Sequence, residues 1–169
     1  NQPYRPVNDV SWDDIQKFLV RLNAQKQDNI ARGWAFVLPT DAQWEYACRA
    51  GTTTTYSWGD VITPDDANYD ESGLDQSRDV GHYFPNHWGI YDMHGNVWEW
   101  TADWYQVAYP IGNPVIDPIG PSSGSYRVLR GGSWVSEGTL LRSAKRFRNW
   151  RIHSANDLGF RIAFQQVTI

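Results

Sequence analysis

The chain has 169 residues, with 15 Lys and Arg against 19 Asp and Glu, which gives a net charge of −4 at pH 7. This length predicts a single domain over residues 1–169, and the acidic balance argues against a protein that binds nucleic acid or an anionic membrane through excess positive charge. No apolar run is long enough to span a bilayer, and the one cysteine, Cys48, excludes an internal disulfide.

The first predicted element is a helix that begins in the stretch VSWDDIQKFLVRLNAQ. Ser11 is expected to be its N-cap, with Asp14 three residues later, and apolar residues then recur on one helical face. The second predicted helix lies in PTDAQWEYACRAG, where Thr40 and Gln43 form a capping box and Gly51 is a C-terminal stop. Because each helix carries one apolar stripe, both are expected to face the core.

Residues 52–126 show no sustained helical or strand period, yet Trp and Tyr are scattered throughout them. This pattern predicts a long ordered loop region in which large rings fill space, rather than a flexible linker. The stretch YRVLRGGSW then predicts a short strand that ends at two glycines. The stretch GFRIAFQ predicts one half-buried strand, with Phe160, Ile162 and Phe164 alternating on one side.

The stretch GIYDMHGNVWEWTADWY, residues 89–105, combines acidic residues with three tryptophans and favours neither a simple helix nor a simple strand. Asp92, Asn96 and Glu99 offer oxygen ligands within eight residues, and a turn at Gly95 would point backbone carbonyls inward. Calcium takes six to eight such oxygens with flexible geometry. The residues therefore favour calcium, while the alternative is that the carboxylates cap turns or pair with arginines beneath the tryptophans.

Four motifs carry a family resemblance. LPTDAQWEYACRAGT, GIYDMHGNVWEWTADW, RVLRGGSW and NDLGFRIA occur in this order and resemble the formylglycine-generating enzyme family, also called the sulfatase-modifying-factor family. The resemblance implies an α+β fold, a variant of the C-type lectin fold that is loop-rich, with two helices and a small antiparallel sheet. It also implies an extracytoplasmic or cell-surface location.

The resemblance implies one calcium ion at the GNVWEW turn. Its ligands would be the side chains of Asp92 and Glu99 and the backbone carbonyls of Gly95 and Val97.

A second calcium site of the family begins with an asparagine and the carbonyl of the next residue, which match Asn68 and Tyr69. The loop that follows is shorter here than in the family's enzymes. Asp70, Ser72 and Asp75 are the alternatives for closing this second site.

The chemistry of the family is not expected in this chain. The family's enzymes oxidise a substrate cysteine to formylglycine, and they bind copper through two cysteines after RGGSW, since soft thiolates select Cu(I). Here Ser136 stands at the first cysteine position, and no cysteine follows through residue 169. The family's partner for Cys48 would lie where Ile162 stands, so Cys48 is predicted to be a half-buried free thiol.

An enzyme nevertheless stays open as the alternative function. Other family members bind iron in a site shared with a separate helical domain, as in the sulfoxide synthases that build ergothioneine. The histidines here do not have the spacing of a facial triad: His82, His87, His94 and His153. Family domains usually begin further upstream, so the N-terminal part is expected to be missing. Segments or domains outside this sequence would then complete an oxidase, a synthase or a protein-modification enzyme.

The segment between GGSW and GFR is the predicted ligand surface. The resemblance implies that this segment lines the ligand-facing side, as in variable proteins diversified by retroelements, where it is the receptor-binding patch. That this chain is such a variable protein is a sub-hypothesis of the predicted binding function. The predicted partner is a protein or small-molecule ligand, and Trp, Arg and Ser suit such contacts. The alternative is that these side chains are consumed in internal salt bridges and stacking. The predicted ligand-binding residues are Ser136, Glu137, Arg148, Trp150, Arg151 and His153.

Overall fold

The computed structural model describes residues 2–108 and 115–167. Two helices and six strands follow in chain order: α1 (Trp12–Lys26), β1 (Trp34–Val37), α2 (Asp41–Arg49), β2 (Trp98–Trp104), β3 (Tyr126–Arg130), β4 (Phe147–Trp150), β5 (Leu158–Phe160) and β6 (Ala163–Gln166). Within the described residues no helix is long and apolar enough to cross a membrane.

Both predicted helices form, with the predicted N-caps. The Ser11 side chain accepts a hydrogen bond from the backbone N–H of Asp14 at the start of α1. At the start of α2, Thr40 and Gln43 form the reciprocal capping box. The C-terminal stop of α2 lies one residue earlier than predicted, because Ala50 already adopts the left-handed conformation, with φ 46°.

The strands form two sheets. β1 pairs with β6 in a two-stranded antiparallel sheet, and the larger sheet has the order β4-β3-β2-β5. In that sheet β3 is antiparallel to β2 and to β4, whereas β5 runs parallel to β2. The small antiparallel sheet expected from the family resemblance is therefore a mixed sheet with a separate two-stranded one beside it.

The central strand β2 comes from the stretch that favoured no regular element. Trp98 and Trp100 are buried and pack with Ile15 and Leu19 of α1 in the main core cluster. Between Trp100 and Trp104 the register with β3 shifts, which marks a β-bulge. The sequence of β2 shows no alternation of apolar and polar residues, because both faces of the strand are buried. Thr101 and Asp103 lie on the second buried face, so the strand lacks the exposed polar face that makes a strand recognisable in a sequence.

The prediction of one strand over GFRIAFQ was wrong. β5 ends at Phe160 beside β2, and β6 begins at Ala163 beside β1. Arg161 and Ile162 lie between them as the chain passes from one sheet to the other. The alternation of Phe160, Ile162 and Phe164 therefore spans two sheets, and Ile162 and Phe164 are each 45% exposed.

Arg127 fastens α1 to the larger sheet. Its guanidinium carbon lies 3.7 Å from the ring centre of Trp12 and 3.5 Å from that of Trp104. Its Nη1 donates a 2.6 Å hydrogen bond to the carbonyl of Ala102. Burial lowers the pKa of Arg127 to about 10, so the side chain stays cationic at neutral pH, and its charge stabilises both stacked indoles.

A buried ionic cluster joins α2 to β3. Arg130 is fully buried; its Nε donates to the Asp41 carboxylate, and its Nη2 donates to Glu45 at 2.6 Å. Arg146 reaches the other oxygen of Asp41 at 2.6 Å. The Asp103 carboxylate accepts a 2.6 Å hydrogen bond from the Asp41 backbone N–H, and burial raises the pKa of Asp103 to about 6.

Side-chain hydrogen bonds to the backbone hold the loop region in place. His94 donates from Nδ1 to the Leu141 carbonyl, 2.7 Å away, and its Nε2 accepts from the Ser57 N–H at 3.2 Å. Burial lowers the pKa of His94 to about 4, which keeps this neutral form at physiological pH. The adjacent Cys48 is a free thiol, as predicted, but it is fully rather than half buried, and burial raises its pKa to about 12.

Candidate metal centre and ligand-binding surface

The turn before β2 has an unusual backbone. Asp92, Gly95 and Asn96 all adopt positive φ angles, of 55°, 82° and 68°. A side chain at Gly95 would collide with the backbone carbonyl of Asn68, so only glycine fits there. The Asn96 N–H donates to that same Asn68 carbonyl at 2.8 Å, which fixes the turn against the preceding loop.

The four ligands predicted for the first calcium site line one cavity of about 360 Å³. One carboxylate oxygen of Asp92 accepts a 2.7 Å hydrogen bond from the Gly81 N–H. Burial raises the pKa of Asp92 above its ordinary value. Gly95, Val97 and Glu99 border the same space, so the structure brings all four residues together.

Arg161 also lines this cavity and pairs with Glu99. Its Nε and Nη2 donate to the two Glu99 carboxylate oxygens at 2.6 and 2.7 Å, and Trp44 donates its indole N–H to Glu99 at 2.6 Å. Nη2 also reaches the carbonyls of Tyr91 and Asp92. Burial opposes the charge of Arg161, but the Glu99 carboxylate more than offsets it and raises the arginine pKa.

The donor types are those that calcium takes, although Arg161 already occupies both carboxylate oxygens of Glu99. This pairing of a carboxylate with an arginine is the alternative raised from the sequence. Two carboxylates and two carbonyls are hard oxygen ligands, and the charges of Asp92 and Glu99 exceed that of Arg161 by one unit. Among the residues that the structure describes, no three His, Cys, Asp or Glu side chains are grouped to hold a metal, so the backbone of Gly95 and Val97 would have to contribute. A bound calcium ion would supply positive charge that ties the turn to β2.

Asn68 and Tyr69, the start of the predicted second calcium site, are both buried. Of the three alternatives for closing that loop, Ser72 bonds locally: its hydroxyl accepts from the Tyr69 N–H and donates to the Ala67 carbonyl, both at 3.0 Å. Asn68 donates from Nδ2 to the Gln76 carbonyl, and its Oδ1 is buried without a hydrogen-bond partner. Calcium at this second position stays a prediction.

An exposed cluster of rings and guanidinium lies on β4 and its neighbours. The guanidinium carbon of Arg148 is 4.7 Å from the ring centre of Tyr105 and 5.3 Å from that of Tyr126. Trp150 packs on Tyr126 with ring centres 4.4 Å apart, and 53% of Trp150 is exposed. Four residues together form this β4 surface: Arg148, Trp150, Tyr105 and Tyr126.

Arg151 and His153 continue this exposed region beyond the end of β4. Arg151 pairs with Asp13 of α1 at 3.4 Å, with its side chain 54% exposed. His153 donates its backbone N–H to the Trp150 carbonyl, which forms a turn. The predicted residues 148, 150, 151 and 153 thus fall along one strand end.

Ser136 and Glu137 have different environments. Ser136 is 4% exposed, and its hydroxyl accepts a hydrogen bond from the Ser133 N–H at 3.0 Å. Its carbonyl accepts from the Asp70 N–H. Glu137 is exposed and precedes a short 3-10 helix. Ser136 is therefore part of the interior, and the expectation that it flanks an exposed ligand site does not match its burial.

Sequence reasoning did not identify Arg161, Tyr105 and Tyr126 as site residues. Arg161 had a usable signal, since it is a charged residue inside the otherwise apolar NDLGFRIA motif. The tyrosines had none, because they reach the β4 surface only through the pairing of β3 with β4 and the end of β2.

A second cleft, of about 870 Å³, lies between α2 and residues 115–121. Four of the charged side chains at its wall form ion pairs: Arg146 with Asp41, and Arg49 with Glu45 at 2.9 Å. The cleft is separate from the residues that line the cavity at Glu99 and from those of the β4 surface.

Comparison with known proteins identifies relatives over nearly the whole chain. The family model described as a sulfatase-modifying factor enzyme 1-like domain matches residues 1–166. The formylglycine-generating enzyme of Streptomyces coelicolor is 36% identical, over 96% of this chain and 53% of that protein. A mouse relative named inactive C-alpha-formylglycine-generating enzyme 2 is 31% identical, over 94% of this chain and 48% of that protein. The chain thus spans about half the length of these relatives.

Solved structures show the same fold. Treponema denticola variable protein 1 superposes with a TM-score of 0.88 and 27% identity, over 98% of this chain and 73% of that one. PvdO from Pseudomonas aeruginosa superposes with a TM-score of 0.82 and 24% identity, over 97% and 63%. The loop-rich α+β fold is accordingly the C-type-lectin-like fold predicted from the motifs. The chain belongs to the sulfatase-modifying factor enzyme 1-like family, which is the formylglycine-generating enzyme family.

Proposed function

We propose that this chain is a calcium-stabilised binding domain that does not perform the family's oxidation and binds a protein or small-molecule ligand at the β4 surface. The observation that carries the proposal is the exposed stack of Arg148 and Trp150 on Tyr105 and Tyr126. Trp, Tyr and Arg over a packed base are the residues that dominate binding energy at interfaces.

The environment of Ser136 supports the loss of oxidase chemistry. At this position the family's enzymes would carry the first copper-binding cysteine, whereas here a buried hydroxyl closes a turn with Ser133. A hydroxyl cannot replace a thiolate as a soft ligand for Cu(I). We expect no aldehyde product when the protein is incubated with copper, oxygen, reductant and a cysteine-containing sulfatase peptide. Protein-dependent aldehyde formation would contradict the proposal.

Binding at the β4 surface can be tested with a displayed library of random peptides, selected against the wild-type protein in calcium buffer. The variants Arg148→Ala and Trp150→Ala remove the predicted hot spots. Matched controls are Arg32→Ala, at an exposed position in the loop before β1, and Trp88→Ala, which is 48% exposed on a different loop.

We expect the selected peptides to lose at least tenfold in affinity for the two β4 variants, which corresponds to about 1.4 kcal/mol, and to keep their affinity for the two controls. Equal binding to all four variants, or a selection that enriches no peptide, would show that the β4 surface is not the binding site. Melting temperatures measured alongside distinguish lost contacts from lost folding.

A further inference from the structure

A small pocket lies between two loops, on residues that play no part in the proposed function. Its volume is about 160 Å³, and its walls include the rings of Trp58, Phe84 and His87 and the carboxylates of Asp65 and Asp66. The described residues that line it include no Lys or Arg. The pocket is therefore aromatic and acidic at once.

The base of the pocket is rigid. The Trp58 ring stacks on Tyr56, with centres 5.4 Å apart and planes 7° from parallel, and meets the edge of His94 at 4.7 Å. Its indole N–H donates to the Val61 carbonyl at 2.9 Å. A ring stacked on Tyr56, in edge contact with His94 and held at its nitrogen forms a preorganised wall, which lowers the entropic cost of binding.

The opposite loop is held by Asn86. Its Nδ2 donates to the Ala47 carbonyl at 2.7 Å, and its Oδ1 accepts from the N–H of Trp88 at 3.0 Å. This places Phe84 on a fixed loop with 93% of its surface exposed. The Phe84 ring is thus presented to solvent beside the pocket, where a ligand can contact it.

The carboxylate of Asp66 is oriented by Thr63, and a tyrosine hydroxyl nearby has no partner. Both hydrogen bonds that hold Asp66, from the N–H and the hydroxyl of Thr63, go to the same oxygen, Oδ2. The Tyr83 hydroxyl is buried without a hydrogen-bond partner. Tyr83 borders a narrower, separate cavity whose lining also includes Trp58, Asp66 and Phe84.

We propose that this pocket binds an alkylammonium head group. Aromatic faces attract organic cations, and Asp65 and Asp66 add negative charge that an anion would not tolerate. At about 30 Å³ for each water molecule of liquid volume, a pocket of 160 Å³ holds the equivalent of about five. That is the size of a quaternary nitrogen with its four carbon substituents.

The direct probe is choline, titrated at constant ionic strength against its neutral isostere 3,3-dimethylbutan-1-ol. The readout is the indole N–H signal of Trp58 in a ¹H–¹⁵N correlation spectrum of the full chain. We expect choline to shift this signal and to bind about tenfold more tightly than the isostere, because the charge interacts with rings and carboxylates. No shift at Trp58, or equal affinity for the two probes, would overturn the proposal.

Variants separate the aromatic and acidic contributions. Phe84→Leu keeps an apolar side chain but removes the ring, whereas Phe84→Trp keeps a ring; we expect the first to weaken choline binding at least threefold and the second to retain it. Asp65→Asn should weaken binding similarly, with Asp28→Asn as the control for net charge, since Asp28 is exposed elsewhere on the chain. Unchanged affinity in both Phe84→Leu and Asp65→Asn would overturn the proposal.

The source of the cation is distinguished by a second titration. A short peptide carrying trimethyllysine presents the same head group as choline on a protein chain. Binding at least tenfold tighter than choline identifies a protein side chain as the ligand, and equal affinity identifies a free small molecule. Failure of both to shift the Trp58 signal contradicts the site itself and leaves the β4 surface unaffected, because the two sites share no residues.

Discussion

Two arginine-containing regions of the molecule differ in what surrounds the guanidinium. Arg130 is fully buried and Arg161 is half-buried, and carboxylates and carbonyls accept their hydrogen bonds. Arg148, in the same third of the chain, is exposed and rests on two tyrosine faces. The first kind of arginine organises the interior, whereas the second presents its hydrogen-bonding capacity to a partner.

The basic segment after GGSW is therefore not uniform. Arg146 is tied to Asp41 and to the carbonyl of Gln106, whereas Arg151 makes a longer, exposed contact with Asp13. The alternative raised from the sequence, that the arginines are used internally, thus holds for part of the segment. Substitution of the internally paired arginines should change stability, whereas substitution of the exposed arginines should change binding.

The largest effect is expected from Arg130→Met. Methionine approximates the length of arginine but leaves Asp41 and Glu45 with less compensating charge in a buried place, and breaking such a pair costs about 3–5 kcal/mol. Urea unfolding of this variant and of the exposed control Arg32→Met measures the difference. A loss of less than 1 kcal/mol would mean that the ionic cluster does not organise the interior.

A second effect concerns the buried Asp103. Its pKa is about 6 in the folded protein against an ordinary value of 3.8, so between pH 4 and 6 the unfolded chain gives up a proton that the folded chain keeps. Stability contributed by this group therefore falls as pH rises through that window, by up to about 3 kcal/mol.

Asp103→Asn removes this titration while an amide oxygen still accepts from the Asp41 N–H. Relative to wild type, the variant should gain stability from pH 4 to 6 and then level off. His94 has a folded pKa of about 4, so its contribution to stability changes with pH in the opposite direction. That contribution is common to both proteins and cancels when variant and wild type are compared at each pH. A difference in unfolding free energy that is constant with pH would contradict the raised pKa.

Calcium should give the next effect. An ion that binds only the folded state at 100 times its Kd stabilises by about 2.7 kcal/mol, which raises the melting temperature by about 5–10 °C. Asp92→Asn should abolish the difference between calcium and EDTA buffers, because asparagine tolerates the positive φ and still accepts from Gly81 but carries no charge. Asp28→Asn is the matched control.

If thorough chelation leaves the melting temperature of the wild-type protein unchanged, the calcium hypothesis is wrong. A calcium effect that survives in Asp92→Asn would place the ion elsewhere, with Asn68 and Tyr69 as the next position to test.

The smallest effect on stability is expected at the β4 surface. Arg148→Ala removes exposed contacts with Tyr105 and Tyr126, which are worth about 0.5–1 kcal/mol each at such sites. Its urea unfolding curve should therefore shift by less than half as much as that of Arg130→Met. A loss as large as that of Arg130→Met would place Arg148 with the interior arginines and erase the contrast between the two regions.

Local signals predicted the helices well. The capping hydrogen bonds join residues only three positions apart, so the capping roles could be derived from spacing alone. This holds for Ser11, Thr40 and Gln43. The four motifs supplied the fold and the grouping of Asp92 with Glu99. Such features are encoded near one another in the chain.

Features that depend on distant partners could not be predicted. β2 is flanked by β3 and β5, which lie well after it in the sequence, and its buried Thr101 and Asp103 conceal the alternation of a strand. The end of β5 before Arg161 could not be predicted either. The apolar alternation in the sequence continues across Arg161, although the chain moves there from one sheet to the other. The stacking of Arg148 on Tyr105 joins residues that only the folded sheet brings together.

The central strand also defines a frame for grafting. Glu99 is paired with Arg130 of β3 on one side and with Gly159 of β5 on the other. Neighbouring strands are about 4.8 Å apart. Arg130 and Gly159, which lie on either side of β2, are therefore within about 10 Å of each other. The cost of closing a longer loop grows slowly with length, and residues 151–154 are all exposed. Foreign sequence inserted at 151–154 would thus change what the domain displays while both ends of the excursion stay fixed to β2.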